Sequence, residues 1–171
     1  MSGPDVHELV ADAIGRLRGT TEAGAPQERL GELLPERRVL GIARAARITP
    51  AGRAWHLGVL LIGENGEVFE TGEIVRARTD ARRGYAAESQ RTRAALAAAA
   101  RRGGFAEGEV VHIGWRELDL AAVERGEASG PLAVRDGEVV VRWSHTAGFV
   151  PLAGYLDERI ELLRHPPQGS V

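Results

Sequence analysis

The chain of 171 residues carries 22 basic and 24 acidic side chains, and 43% of it is hydrophobic, as in ordinary globular proteins. Its formal net charge of −2 predicts neither a nucleic acid nor an acidic membrane surface as a partner. The chain has no cysteine and no lysine, which excludes disulfides, thiolate nucleophiles, sulfur-bound zinc, Walker phosphate loops and lysine Schiff bases.

Neither a membrane span nor a secretion signal is visible in the sequence. No apolar run approaches the ~18 residues of a transmembrane helix, and the first five residues have neither a basic start nor an apolar stretch. We therefore expect a cytoplasmic, soluble protein that needs no cofactor and no membrane.

Two helices are predicted at the start of the chain. Apolar residues recur at helical spacing from Val6 to Leu17, and Gly19 follows them. A second, short helix contains Leu30, Leu33 and Leu34 and ends at Pro35. Residues 1–35 are expected either to join the core or to form a helical arm.

The middle of the chain has the alternation of strands. Residues 39–48 and 55–62 are predicted strands with a turn at residues 50–52 between them. The pair Asn65-Gly66 favours a two-residue type I′ turn, in which both residues have positive φ. The cross-strand pairs that follow from this loop are Ile62–Phe69, Leu60–Thr71, Gly58–Glu73 and His56–Val75.

The second half alternates helices and strands. We expect an alanine-rich helix over residues 85–102, a strand over 109–115, a short helix capped by Asp119, a hairpin around Asp136-Gly137 that sets Arg135 opposite Glu138, and a last helix from Pro151. The predicted fold is one α+β domain over residues 1–171, with a mainly antiparallel sheet of about six strands on which N-terminal, central and C-terminal helices pack.

The predicted hairpin supplies a candidate catalytic pair. His56 and Glu73 would lie diagonally on one sheet face, with about 7 Å between their Cα atoms, and Gly58 would leave space between them. A carboxylate near an imidazole on an apolar face can form a general acid/base pair with shifted pKa values. The alternatives are a structural ion pair and a solvated face.

Arginines supply candidate ligand-binding residues. The first candidates precede the central helix, whose N-terminus would also attract an anion. They are Arg76, Arg78, Arg82 and Arg83, together with Tyr85. The alternative for this group is a solvated turn. Arg44 alternates with Ile42 and Ile48, so it is predicted to point inward unless its strand lies at a sheet edge. An inward Arg44 would need Glu70, Glu73 or a bound anion.

The histidines do not predict a metal site, because none of the five lies at ligand spacing from another. A metal site would need residues that the fold gathers from distant positions; the alternative is ordinary surface or core histidines. His145 is a candidate ligand-binding residue, since the segment WSHTAGF at 143–149 combines hydroxyls, an imidazole and aromatic rings that suit a pocket rim. The alternative is an ordinary loop. Neighbouring side chains in an extended chain point apart, so Ser144 and His145 do not form a nucleophile–base pair.

Four segments carry a resemblance to a known group of proteins. They are GRAWHLGVL at 52–60, RRGYAAESQR at 82–91, GGFAEG at 103–108 and PLAGYLDERI at 151–160. From about residue 28 to residue 167 the chain is similar to a small family of uncharacterised bacterial proteins, some of which are labelled glutaminase. Without cysteine or lysine, the chain departs from the glutaminase chemistries that depend on these residues, so the resemblance transfers no catalytic residue.

Two classes of function follow from these observations. The first is a binding or self-associating module, expected to form a homodimer because the alanine-rich helix has a thin face that a second chain can cover. The alternative is a small hydrolase for an amide or anionic small molecule, with His56 and Glu73 as acid and base. The sequence leaves open whether the protein is an enzyme.

Overall fold

The computed structural model describes residues 5–19, 24–79, 87–144 and 146–167. Within these residues the chain forms four helices and 12 strands, which confirms the α+β class. The helices are α1 (Val6–Arg18), α2 (Glu88–Arg102), α3 (Leu120–Glu124) and α4 (Leu152–Arg164). The strands are β1 (Glu28–Leu34), β2 (Arg37–Val39), β3 (Ile42–Arg44), β4 (Arg47–Leu57), β5 (Leu60–Ile62), β6 (Val68–Glu70), β7 (Glu73–Arg76), β8 (Val110–Ile113), β9 (Arg116–Glu117), β10 (Leu132–Arg135), β11 (Glu138–Arg142) and β12 (Phe149–Pro151).

The chain folds into two compact units, each built from separate segments. Unit 1 consists of Met1–Gln27, Ala54–Thr71 and Arg116–Val171, and unit 2 of Glu28–Arg53 and Gly72–Trp115. Hydrogen bonds link seven strands in the order β7-β8-β1-β4-β5-β6-β9, with β4 contributing residues to both units. The sheet is mixed, because β1 runs parallel to β8. That residues 1–171 form a single domain remains a prediction.

Unit 1 has the larger core, to which both long terminal helices contribute. The predicted stripe of α1 is buried at Val6, Val10, Ala13, Ile14 and Leu17, and Asp5 caps the helix by accepting a hydrogen bond from the Glu8 N–H at 2.7 Å. The predicted stripe of α4 is buried likewise, apart from a partly buried Leu163. The first helix is therefore part of a core and not a free arm.

Unit 2 has a small core between α2 and its strands, formed by Ile48, Val75, Phe105 and Val111 with Ala99 and Ala100 of α2. The turn after α2 lies against the backbone of β4. A Cβ added at Gly103 would lie 1.5 Å from the carbonyl oxygen of Ile48, so this position accepts only glycine. The strands β2 and β3 form a separate two-stranded sheet in this unit.

The predicted second helix is wrong, because residues 28–34 form strand β1. Leu30 is buried and Leu33 is 41% exposed, whereas a helical stripe would have buried both. Gly31 explains the outcome: its Cα lies so close to Val111 and Ile48 that an added Cβ would be 2.7 and 2.5 Å from their methyl groups. Pairing with the neighbouring strands overrides the local helical spacing.

The predicted turn at residues 50–52 is also wrong, because β4 continues through Pro50 and Gly52. The chain turns instead at Gly58 and Val59, where Gly58 has a φ of 70°. The Tyr155 hydroxyl fixes this turn by donating to the Leu57 carbonyl at 2.8 Å and accepting from the Val59 N–H at 2.9 Å.

The predicted register of the Asn65-Gly66 hairpin is wrong by one residue. Gly66 has a φ of 98°, but Asn65 does not adopt positive φ, and the Gly63 N–H donates to the Glu67 carbonyl at 2.8 Å. The loop therefore has three residues instead of two, which shifts every pair. The observed pairs are Ile62–Val68, Leu61–Phe69 and Leu60–Glu70.

The elements in the second half of the chain agree better with the predictions made from the sequence. The hairpin of β10 and β11 has the predicted register, with Arg135 opposite Glu138, and the side chain of Asp119 caps α3. Strand β12 was not predicted; it pairs with β11 where a loop was expected. None of the described helices combines the length and apolar character that crossing a bilayer requires.

Candidate functional site

The predicted catalytic residues lie on strands that do not form the predicted hairpin. His56 pairs with Leu61 across the β4–β5 turn, and its Nε2 lies 3.0 Å from the Gly58 carbonyl oxygen of that turn. Glu73 is exposed on β7 and pairs with Ile113 of β8. The register from which this acid/base pair was predicted is therefore absent.

An imidazole–carboxylate contact that the sequence did not predict lies in unit 2. His112 of β8 is fully buried, and its Nε2 contacts the carboxylate of Glu28 at the start of β1, whose side chain is 35% exposed. Parallel pairing of β1 with β8 brings these residues together. They are 84 positions apart, so no local spacing could have predicted the contact.

The predicted arginine group before α2 is only partly described, since Arg82, Arg83 and Tyr85 lie outside the described residues. Arg76 donates to the Gly108 carbonyl at 3.0 Å. Glu107 accepts from the Thr79 hydroxyl at 2.7 Å and from the Thr79 N–H at 2.9 Å. These hydrogen bonds, aided by the charges of Arg101 and Arg78, lower the pKa of Glu107. Arg78 thus has a carboxylate in its surroundings.

Arg44 occupies a different environment from the one predicted. It is exposed on β3 and does not point into a core, because β3 belongs to a two-stranded hairpin. Of its two predicted partners, Glu70 forms an ion pair with Arg116 and Glu73 lies on the strand β7. Arg44 itself lies directly opposite Arg37 of β2.

Three arginines surround a small cavity at the base of this hairpin. The cavity has a volume of about 80 Å³ and is lined by Leu34, Pro35, Arg37, Arg44, Ala45, Arg47 and Thr49. No acidic residue lines it, and the ion pairs found among the described residues include none of its arginines. We call Arg37, Arg44 and Arg47 the arginine cluster. Arg47 is close to Arg44 in the sequence, whereas Arg37 becomes a neighbour of Arg44 only through the hairpin.

The tip of the same hairpin is apolar and strained. Leu40 is 98% exposed and has a φ of 51°, followed by Gly41 at 80°. The second two-residue hairpin has the same backbone with Asp136 at 52° and Gly137 at 78°. Aspartate tolerates this left-handed region, whereas leucine does so at a cost of roughly 1–2 kcal/mol. Such a strained and exposed residue points to a function at the tip.

Other cavities lined by described residues lie in unit 1. One, of about 610 Å³, is lined by Glu67, Glu117 and Asp119, two of which already serve the structure: Asp119 caps α3, and Glu67 accepts from the Asn65 N–H at 3.2 Å. Backbone hydrogen bonding lowers the pKa of Glu67. A cavity of about 170 Å³ is lined by Trp143 and Ser144. His145, predicted for this rim, lies outside the described residues.

Comparison of the chain with family models, curated proteins and solved structures finds no match. The similarity to the bacterial family with glutaminase labels therefore stays a prediction.

Proposed function

We propose that this protein is a binding module for an anionic ligand, which the arginine cluster holds through guanidinium hydrogen bonds. The observation that carries the proposal is the cavity of about 80 Å³, lined by Arg37, Arg44 and Arg47 and by no carboxylate. Of the residues that the sequence suggested for anion binding, the proposal retains Arg44.

Electrostatics supports an anion at this position. Arg37 and Arg44 face each other across β2 and β3, and like charges directly opposite each other destabilise a strand pair. A bound anion removes this repulsion, and guanidinium groups form paired hydrogen bonds to carboxylate and phosphate oxygens. The hydroxyl of Thr49, which also lines the cavity, already donates to the Glu32 carbonyl at 3.5 Å, so the guanidinium groups supply the donors there.

The size of the cavity limits what it can enclose. Pockets for drug-sized ligands have volumes of about 300–1,000 Å³, so a cavity of about 80 Å³ admits one small group. A phosphate or a carboxylate is such a group. The rest of a larger ligand would lie outside the cavity, along the exposed hairpin.

Calorimetric titration with inorganic phosphate at low salt tests this proposal. We expect the chain to bind phosphate, and the double variant Arg44→Gln with Arg47→Gln to bind it at least tenfold more weakly. The control is Arg91→Gln with Arg93→Gln, which removes the same charge from exposed positions of α2. Equal affinity in the two double variants, or no binding by the unaltered chain, would contradict the proposal.

A second candidate function is hydrolysis, favoured by the contact between buried His112 and Glu28. This pair takes the place of His56 and Glu73 in the acid/base role, because a carboxylate orients an imidazole for proton transfer. A screen with glutamine and other amides tests it. The proposal requires a turnover that Glu28→Gln reduces, while the far-ultraviolet circular dichroism stays unchanged; turnover unaffected by this substitution would contradict it.

Self-association has weaker support in the structure. The first two turns of α2 are exposed, but their side chains are polar, and the apolar Leu96 and Ala97 pack on the core of unit 2. A homodimer through the alanine face would bury little apolar area. Light scattering at micromolar concentration decides between monomer and dimer.

A further inference from the structure

We propose that the anionic ligand is duplex DNA, bound with the hairpin of β2 and β3 in a groove and the arginine cluster on the phosphates. This inference rests on the proposed function, because it uses the same cluster. It adds the ligand class and a role for the apolar tip.

The charges of the chain are segregated between its two units. Unit 2 contains 14 arginines and eight acidic residues, a formal charge of +6, and unit 1 contains eight arginines and 16 acidic residues, a charge of −8. The net charge of −2 therefore conceals a cationic unit. A net charge averaged over the whole chain does not describe unit 2, so it does not count against a nucleic acid partner of this unit.

The hairpin presents cations on both of its faces. Arg37 and Arg44 are cross-strand neighbours and share one face, while Arg38, the next residue of β2, points to the other. All three are exposed. A ribbon with cations on both faces suits a groove, which has a phosphate chain on either side, whereas binding on a flat anionic membrane would require them on one face.

The dimensions of the hairpin fit a groove. Two antiparallel strands lie about 4.8 Å apart, and the major groove of B-form DNA, about 12 Å wide, admits a two-stranded ribbon. The hairpin has room to enter, since of its residues from Arg37 to Arg44 only Val39 is partly buried. The deep and narrow major groove of double-stranded RNA does not admit such a ribbon.

The apolar tip would contact the bases. Leu40 is 98% exposed and Ile42 is 68% exposed, so the end of the hairpin presents two large aliphatic side chains to solvent. Aliphatic side chains contact thymine methyl groups in the major groove and can enter between base steps. Asp136 shows that an ordinary turn residue fits this backbone conformation. Contact with the bases would explain why the first hairpin has a strained leucine, Leu40, at the same position.

Fluorescence anisotropy with a labelled duplex of mixed sequence, measured over a series of salt concentrations, tests the inference. One phosphate held by the cluster and a second contacted by Arg38 predict that log K falls against log salt concentration with a slope of about −2. Arg44→Gln is expected to reduce the magnitude of this slope by about one. Leu40→Asn is expected to weaken binding by about tenfold with the slope unchanged.

The controls separate this inference from the proposed function. Arg91→Gln with Arg93→Gln removes charge from unit 2 outside the hairpin, and it should leave both affinity and slope close to those of the unaltered chain. If the unaltered chain binds phosphate but not DNA, the inference is wrong and the proposed function stands. If it binds neither phosphate nor DNA, the inference and the proposed function are both wrong. Tighter binding to double-stranded RNA, to vesicles of phosphatidylglycerol or to polyglutamate than to DNA would also overturn the inference.

Discussion

Arg37 and Arg44 lie directly opposite each other in a two-stranded hairpin, although like charges in this position repel. Neither residue forms an ion pair with an acidic side chain among the described residues. The proposed anion provides the missing counter-charge. The arrangement therefore costs stability in the free protein, and the proposed ligand would relieve the repulsion.

Replacing one member of this pair should stabilise the free hairpin. Arg44→Thr removes the repulsion and introduces a residue with high strand propensity, so we expect a gain of roughly 0.2–1 kcal/mol at low salt. Hydrogen exchange of the backbone amides of β2 and β3 measures the gain locally. Faster exchange in the variant than in the unaltered chain would show that Arg44 stabilises the hairpin, contrary to this account.

The hairpins that turn at Leu40-Gly41 and at Asp136-Gly137 have the same turn backbone, so an asparagine substitution can be compared between them. Leu40→Asn should slow exchange in the first hairpin by an amount that corresponds to about 1 kcal/mol, because asparagine tolerates positive φ. Asp136→Asn should change the second hairpin little, since aspartate tolerates this region too. Equal effects at both sites would mean that Leu40 is not strained.

The turn after α2 lies so close to β4 that one added methyl group at Gly103 should strongly lower the stability of the fold. Gly103→Ala places a Cβ 1.5 Å from the Ile48 carbonyl oxygen, so the backbone must shift, and we expect a loss of about 1–3 kcal/mol or more in the free energy of unfolding. Gly15→Ala is the control. This exposed helical position has no atom within 4 Å of the added Cβ, and the substitution should stabilise by about 1 kcal/mol.

Urea denaturation of both glycine variants, monitored by circular dichroism, measures these differences. A Gly103→Ala variant as stable as the unaltered chain would contradict the described packing of unit 2.

The hydrogen bonds from Thr79 to Glu107 predict a pH dependence. They lower the pKa of this carboxyl below its ordinary value of 4.5, so the ionised form is favoured in the folded state. The stabilisation is present above pH 4.5 and is lost as the pH falls through the lower, folded-state pKa. Thr79→Ala should raise the pKa of Glu107 in a carboxyl-carbon NMR titration. An unchanged titration in this variant would rule out the Thr79 hydroxyl as a cause; the variant keeps the backbone N–H of residue 79.

Local sequence signals predicted the elements whose contacts are local. The stripe of α1, the Asp119 cap of α3 and the hairpin around Asp136-Gly137 all depend on residues a few positions apart. The α+β class followed from these elements. The predicted register of the hairpin at Asn65-Gly66 was wrong by one residue, because two-residue and three-residue loops share the same turn residues.

The candidate site depended on contacts that local spacing does not encode. Parallel pairing of β1 with β8 overrode a helical pattern at Leu30 and placed Glu28 beside His112. Alternation predicted that Arg44 points inward, whereas it is exposed and lies opposite Arg37 across a turn at Leu40-Gly41, which leucine does not signal.

The most direct measurement of the central claim is an NMR titration of the arginine Nε–Hε groups with inorganic phosphate. The account predicts that the resonances of Arg37, Arg44 and Arg47 shift together along one saturable curve, while those of Arg91 and Arg93 stay in place. Equal, non-saturating shifts at all five arginines would show that phosphate binds non-specifically, and the arginine cluster would then not be a ligand site.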